Sequence, residues 1–175
     1  MKGFVASGVL AAGLLVFGTT MATAQSASTV EKQTQSESAK TLERDFFGAI
    51  RSGDAQKVLS YIPKGGVNAG PDARHLTRQA VEQQFQARRG LYCYLFDSSC
   101  IDAAINLGNS KRSCSDRELL THSEKVRTAS SEVTRNGVQQ AILVAEVKND
   151  QCDNVGLVDF IFNLEADGWK LFSIP

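Results

Sequence analysis

The sequence lacks several features on which common protein functions depend. It carries no net charge, since 19 basic residues balance 19 acidic ones, so the whole chain is not drawn toward nucleic acid or an anionic membrane. It contains no Gly-x-Ser-x-Gly segment and no glycine-rich phosphate loop, which are patterns of serine hydrolases and nucleotide-binding proteins. It also contains no Cys-x-x-Cys pair, a frequent part of zinc sites. We therefore predict no metal, no cofactor and no nucleic-acid partner.

The sequence does contain four cysteines, Cys93, Cys100, Cys114 and Cys152. An even number of cysteines in an exported chain favours disulfide bonds, so we predict two of them. Four cysteines allow three connectivities. We favour Cys100–Cys114, which closes a short basic loop, and Cys93–Cys152, which joins an aromatic segment to the C-terminal sheet.

The N-terminus has the pattern of a secretory signal. Lys2 supplies a positive start, residues 9–17 form an apolar core, and Ala22-Thr23-Ala24 is a small-residue cleavage site. The apolar core is shorter than the roughly 20 residues of a membrane-spanning helix, which argues against an uncleaved anchor. We predict a signal peptide over residues 1–24, a mature chain that begins near Gln25, and a periplasmic or secreted protein without membrane attachment.

The mature chain is predicted to contain a disordered polar leader over residues 25–40 and a single α+β domain over residues 41–175. The leader is rich in Ser, Thr, Gln and Glu and has too few apolar residues to bury a core. Helices are predicted over residues 37–51, from the Asp54 cap to Pro63, over residues 73–89, and from the Ser115 capping box to His122. The aromatic content of residues 91–96 favours a strand there.

The C-terminal part is predicted to be an antiparallel sheet. Asn136-Gly137 is a strong hairpin signal, and the apolar run over residues 141–145 is typical of a central strand covered on both faces. Strands are predicted over residues 125–134, 138–147, 155–165 and 169–174. The fold class is therefore α+β, with N-terminal helices packed on a curved C-terminal antiparallel sheet.

Alternation along the third of these strands predicts which face meets the helices. Val158, Phe160, Phe162 and Leu164 share one face. We expect the first three of these side chains, together with Trp169, to be buried against the first and third helices.

Two segments resemble parts of the nuclear transport factor two-like superfamily. The segment Phe46-Phe47-Gly48-Ala49-Ile50-Arg51-Ser52-Gly53-Asp54-Ala55-Gln56-Lys57-Val58-Leu59 resembles its opening helix, Gly-Asp break and second short helix. The segment from Phe160 to Ile174, which contains Asp167-Gly168-Trp169-Lys170-Leu171, is similar to its final hairpin. The resemblance implies a cone-like fold, in which a curved sheet wraps a long helix and leaves a cavity. The superfamily contains isomerases, cyclases, dehydratases and non-catalytic binding modules, so the resemblance implies no single function.

The resemblance also implies where an enzyme of this kind would keep its acid or base. Enzymes of the superfamily use a His, Asp or Tyr inside the cone, and the candidates here are His75, His122, Asp159, Tyr92 and Tyr94. The two histidines fall at predicted helix ends, and Asp159 falls on the more polar face of its strand. These residues match no known catalytic constellation, so we predict no catalytic residue.

A protein partner in the cell envelope is the interpretation that the remaining features favour. Aromatic and basic side chains lie close together between the cysteines, and such residues are frequent anchors of protein interfaces. The predicted contacts are Tyr94, Phe96, Lys111 and Arg112. The first hypothesis is an exported binding module, for instance an inhibitor or immunity-type protein for an envelope enzyme. The alternatives are a small-molecule enzyme that uses the cone cavity and a structural accessory protein that forms a homodimer through its sheet.

Overall fold

The structure of the protein is a computed structural model, and it describes residues 24–70, 72–101, 114–150, 152 and 157–174. The helices are α1 (Ala24–Ser52), α2 (Ala55–Ser60), α3 (Arg78–Gln86), α4 (Leu91–Phe96) and α5 (Asp116–His122), with a short 3-10 helix at Ser98–Cys100. The strands are β1 (Val67–Ala69), β2 (Arg74–Leu76), β3 (Lys125–Arg135), β4 (Val138–Lys148), β5 (Leu157–Glu165) and β6 (Gly168–Ile174). None of the described helices combines the length and the apolar character needed to cross a membrane. The predicted signal peptide lies almost entirely outside the described residues.

The sheet has six strands in the order β2-β1-β6-β5-β4-β3. Neighbouring strands are antiparallel except for β1 and β6, which run parallel. The β3–β4 hairpin turns at Asn136 and Gly137, whose φ angles are 51° and 78°. Positive φ at both central residues matches the twist of the two strands, so the predicted hairpin is confirmed.

Helix α1 packs on one face of this sheet, which we call the inner face. The Phe46 ring lies 4.8 Å from that of Phe160 and 5.0 Å from that of Phe162, both in edge-to-face contact. All three side chains are fully buried. The predicted α+β class, with helices on a C-terminal sheet, is therefore confirmed.

The burial predicted for Trp169 needs a correction, whereas the exposure of Leu164 contradicts no prediction. Leu164 shares the inner face but is 41% exposed, because it pairs with Trp169 beside the tight turn that joins the two strands. Trp169 is half-buried, and its indole reaches Ser38 of α1. The side chain of Val158 lies outside the described residues.

Helix α1 begins earlier than the sequence indicates. It starts at Ala24, so residues 25–40, predicted to be disordered, are helical. This segment contains neither proline nor glycine, and it is continuous with the part of the helix that carries the buried Ala39 and Leu42. Extending an existing helix requires no new nucleation.

The predicted third helix is divided into a strand and a shorter helix. Residues 74–76 form β2, which pairs with β1, and Thr77 caps α3 by accepting a hydrogen bond from the Ala80 amide at 3.2 Å. The strand pairing requires Gly66 (φ +98°), because a Cβ there would collide with the Leu76 carbonyl. Helical periodicity in the sequence could not reveal this distant contact.

Residues 91–96 form helix α4, so the predicted strand is wrong. The Gln84 side chain accepts a hydrogen bond from the Leu91 amide at 2.8 Å. Helix α4 buries Leu91, Cys93, Leu95 and Phe96. A short apolar run has the same composition in a buried helix as in a buried strand. Here the Gln84 side chain satisfies the Leu91 amide in the first turn, which favours the helix.

All four cysteines form disulfides, as predicted, but the pairing differs. The bonds are Cys93–Cys100 and Cys114–Cys152, with Cα–Cα distances of 5.4 Å and 5.7 Å. Because α4 is helical and the chain turns back at once into the 3-10 helix, Cys93 meets Cys100 locally. Cys114, just before α5, then lies beside Cys152 in the β4–β5 connection. Two disulfides fit an oxidising compartment.

Candidate functional site

The structure changes the predicted partner contacts. Phe96 is only 5% exposed, with its ring 5.9 Å from Phe85 and 5.3 Å from Tyr92. The turn of α4 directs it into the core, so we withdraw it as a contact. Tyr94 is half-buried and packs against the core. Lys111 and Arg112 lie outside the described residues, and their role stays a prediction.

The candidate acid–base residues lie on separate elements. His75 is exposed on β2, where its Nδ1 lies 3.2 Å from Asn68 Oδ1 and its Nε2 lies 2.9 Å from the Gly65 carbonyl. His122 is exposed at the end of α5, and Asp159 is half-buried on β5. No hydrogen bond joins any two of these three described side chains. They therefore form no acid–base pair in the described part of the chain.

Tyr92, the remaining candidate apart from Tyr94, belongs to the α4 packing. Its ring makes an edge contact with Phe85 at 5.9 Å, and the Arg88 guanidinium lies 6.0 Å from its centre. These contacts are structural. Within the described ranges, no three His, Cys, Asp or Glu side chains are grouped so that they could hold a metal ion.

The space between α1 and β5, where a cone cavity is expected, is occupied by aromatic rings. Phe46 and Phe47 of α1 both contact Phe160, at 4.8 Å and 6.0 Å, and Phe46 also contacts Phe162. These four rings are buried. Apolar rings at contact distance offer no hydrogen-bonding group to a substrate, so this region serves the core.

The opposite face of the sheet, which we call the outer face, has an apolar centre. Ile142 of β4 pairs directly with Ile161 of β5, and Val144 of β4 pairs with Asp159. Ile142, Val144 and Ile161 are each half-buried, whereas the β4 residues that alternate with them, Ala141, Leu143 and Ala145, are fully buried on the inner face. The chain itself therefore covers one side of β4 much more completely than the other.

Polar groups border this apolar centre at both ends. At one end, the Gln140 side-chain amide donates a hydrogen bond to Asn163 Oδ1 at 2.9 Å. At the other end, Arg127 and Glu146 approach to 3.9 Å as an exposed ion pair. An apolar centre with a polar rim is the usual arrangement of a protein interface.

Two exposed apolar side chains lie beyond the apolar centre. Val138, at the start of β4, is 40% exposed, and Phe172, in β6, is 41% exposed. Ile161 pairs with Ser173 while Phe162 pairs with Leu171, so Phe172 is the extra residue of a β-bulge. Bulges direct a side chain away from the regular ladder, and here the result is an exposed aromatic ring.

Two clefts lie near the β5–β6 turn. One, of about 520 Å³, is bordered by α1, the residues that end α2, and Trp169. The other, of about 680 Å³, is bordered by the loop of residues 63–66, His75 and Phe172. Asp167 and Lys170 line both clefts, and their side chains form an ion pair at 3.1 Å. The hydrogen bond from Lys170 lowers the pKa of the Asp167 carboxyl, so this carboxylate is charged at neutral pH.

From the sequence, the sheet was a binding surface only in the alternative of a homodimer, and its outer face was not identified as the site for a partner, although its signal is present in the sequence. The continuous apolar run over residues 141–145 predicts a strand covered on both sides, and the structure covers only one of them fully. The clefts had no such signal, because their walls come from segments far apart in the chain.

Comparison of the chain with protein-family models, with curated proteins and with solved structures found no significant match in any of the three. The description of the protein therefore rests on its own fold. It is a disulfide-bonded α+β protein whose six-stranded, mostly antiparallel sheet has one face packed against helices.

Proposed function

We propose that this protein is an exported binding module that holds a protein partner against the outer face of its sheet. The observation that carries the proposal is the unequal covering of β4. Ile142 and Val144 have the residue types of a buried face but are only partly buried by the chain itself. A second molecule placed on that face would complete their burial.

The shape and rim of this face favour a protein over a small molecule. Small-molecule sites are concave and bury most of their ligand, whereas the centre of this face is a run of paired strand residues. A standard protein interface buries about 800 Å² on each partner and places polar residues around an apolar centre. The ends of this face carry the Gln140–Asn163 hydrogen bond and the Arg127–Glu146 ion pair.

The proposal also includes export and the superfamily relationship. The N-terminal pattern of residues 1–24 supports secretion to the periplasm or beyond, and the paired cysteines fit that compartment. The segments that resemble the nuclear transport factor two-like superfamily form α1, α2 and the β5–β6 hairpin, which supports a relationship in which the sheet curves as in a cone. An inhibitor or immunity-type protein for an envelope enzyme is the form of binding module that we favour.

Photo-cross-linking in intact cells tests the binding surface. Replacing Ile142 or Ile161 with photoreactive benzoylphenylalanine is expected to give an adduct with one partner protein, identified by mass spectrometry. The same replacement at Gln56, an exposed residue of α2, serves as the matched control and is expected to give none. Adducts between two copies of this chain would instead support the accessory dimer. Adducts from position 94 alone would return the site to the segment predicted from the sequence.

Export has a separate test. N-terminal sequencing of the protein from a periplasmic extract is expected to start at or near Gln25. Soluble cytoplasmic protein that retains Met1 would contradict export without affecting the argument about the sheet.

A further inference from the structure

The cleft beside Trp169, which we call the indole groove, has walls from three separate segments. Helix α1 contributes Ser38, Thr41, Leu42 and Asp45. Helix α2 contributes its last residue, Ser60, and the Tyr61 that follows it, and the β5–β6 hairpin contributes Asp167, Trp169 and Lys170. Its volume of about 520 Å³ falls within the usual range of ligand sites. The groove opens to solvent along one side, which suits a ligand that is only partly enclosed.

Two aromatic rings in the groove are held in place by contacts behind them. The Trp169 indole donates a hydrogen bond from Nε1 to Ser38 Oγ at 2.9 Å. Tyr61 makes edge-to-face contacts with Phe46 at 5.5 Å and with Phe162 at 5.8 Å. Both rings are half-buried, so each offers part of its surface to the groove. Fixed rings lose little conformational entropy when a ligand packs on them.

The polar side chains of the groove include hydrogen-bond donors and acceptors, and they carry both positive and negative charges. Asp45 and Asp167 supply carboxylate oxygens, Lys170 supplies an ammonium group, and Thr41 and Ser60 supply hydroxyls. Burial, together with the nearby Asp45 carboxylate, raises the pKa of Tyr61, so its hydroxyl keeps its proton at neutral pH. A neutral ligand rich in hydroxyl groups can donate hydrogen bonds to the carboxylates and accept them from the ammonium group and the hydroxyls.

A sugar ring combines the two properties that this lining recognises. Its C–H face is apolar and can pack on an aromatic ring, and its edge carries hydroxyl groups that donate to carboxylates and accept from hydroxyls or ammonium groups. Hydrogen bonds to charged groups are the stronger kind. We infer that the indole groove binds a neutral oligosaccharide, with Trp169 and Tyr61 packing on sugar rings and Asp45 and Asp167 accepting from their hydroxyls.

This inference does not depend on the protein partner of the outer face. The groove is built on α1 and the hairpin end, whereas the proposed interface is centred on Ile142 and Ile161. Loss of oligosaccharide binding would leave the cross-linking result unchanged, and the reverse also holds.

Trp169 is the only tryptophan in the chain, so intrinsic fluorescence reports directly on this groove. The mature protein is titrated with three hexasaccharides: β-1,4-linked N-acetylglucosamine, β-1,4-linked glucose and α-1,4-linked glucose. At least one of them is expected to give a saturable change in the tryptophan emission. Asp45→Asn and Asp167→Asn are each expected to weaken that binding by about tenfold or more, from the loss of a charge-assisted hydrogen bond. Asp150→Asn, at an exposed residue beyond the end of β4, is the matched control and is expected to change the affinity by less than about twofold.

Two results would overturn the inference. One is the absence of a saturable change with all three hexamers at concentrations up to about 10 mM, the limit of weak binding. The other is an equal loss of affinity in Asp150→Asn and in the groove variants. Uncharged hexapeptides are titrated in parallel, and in the first of these two cases saturable binding of a peptide would assign the groove to peptides. Far-ultraviolet circular dichroism of each variant confirms that it is folded.

Discussion

The two faces of the sheet come from the same strands, yet they have different surroundings. Phe160 and Phe162 lie on the inner face and are fully buried, while Ile161 between them lies on the outer face and is half-buried. Neighbouring residues of a strand point to opposite sides, so the difference comes from what covers each face. Helix α1 covers the inner face, and we propose that a partner covers the outer one. Apolar residues on a strand can thus serve folding on one side and binding on the other.

The sharpest test of this comparison uses neighbouring residues. Phe160→Ala is expected to lower the free energy of unfolding by about 3–5 kcal/mol, because it opens a cavity among buried rings. Ile161→Ala is expected to cost only about 1 kcal/mol, because its side chain already contacts solvent. Denaturant melts of the two variants measure both values. Equal losses would mean that the outer face is as important for folding as the inner face.

The two disulfides differ in their contact with the buried core and in the length of the loop that each closes. Cys152 belongs to the same buried cluster as Phe160, and its bond with Cys114 spans 38 residues, whereas Cys93–Cys100 spans 7. Closing the longer loop restricts the unfolded chain more, so replacing Cys114 and Cys152 with Ala is expected to cost about 4 kcal/mol. The matched double replacement at Cys93 and Cys100 is expected to cost about 2 kcal/mol.

Thermal melts of the wild type and of the two double variants compare the stability lost with each disulfide. A larger loss without Cys93–Cys100 than without Cys114–Cys152 would contradict the expectation. Peptide mapping of the unreduced protein checks the pairing itself. Peptides that join Cys93 to Cys152 would restore the connectivity predicted from the sequence.

A smaller effect on stability, which depends on pH, is expected to distinguish Glu118, a carboxylate beside the core, from Glu146 on the outer face. Burial alone would raise the pKa of Glu118, but hydrogen bonds from the Ser115 amide and from the Ser98 and Ser115 hydroxyls outweigh it and lower that pKa. A lowered folded-state pKa stabilises the protein above the unfolded value of about 4.3, and this stability is lost as the pH falls through the folded value.

Glu118→Gln is therefore expected to cost about 1 kcal/mol at pH 7 through the weakened capping box of α5. The difference from the wild type is expected to shrink as the pH falls below about 4. Glu146→Gln removes only an exposed ion pair on the outer face and is expected to cost less than about 0.5 kcal/mol. Denaturant melts at several pH values measure both effects, and a pH-independent loss for Glu118→Gln would contradict this account of the cap.

Features fixed by nearby residues could be predicted from the sequence. The Ser115–Glu118 capping box, the Asp54 cap and the Asn136-Gly137 hairpin each depend on two to four neighbouring residues. The structure confirms all three. Their geometry needs no information from the rest of the fold.

Several features that depend on distant contacts were not predicted correctly. The strand at Arg74–Leu76 exists because β1 pairs with it, and the disulfide pairing follows from the path of the chain around α4. The same limit applies to the candidate sites. The run over residues 141–145 marked β4 as central, but only the fold shows which of its faces is open. The indole groove joins residues as distant as Ser38 and Trp169.

The central claim is that the outer face serves binding and not folding. It is tested most directly by the double variant Ile142→Lys/Ile161→Lys, assayed against the purified partner identified by cross-linking. We predict that the variant keeps a cooperative unfolding transition while its affinity for the partner falls by about a hundredfold or more, since two central contacts of an interface are lost. The control Gln56→Lys is predicted to keep the wild-type affinity. A folded double variant that binds as tightly as the wild type would contradict the claim.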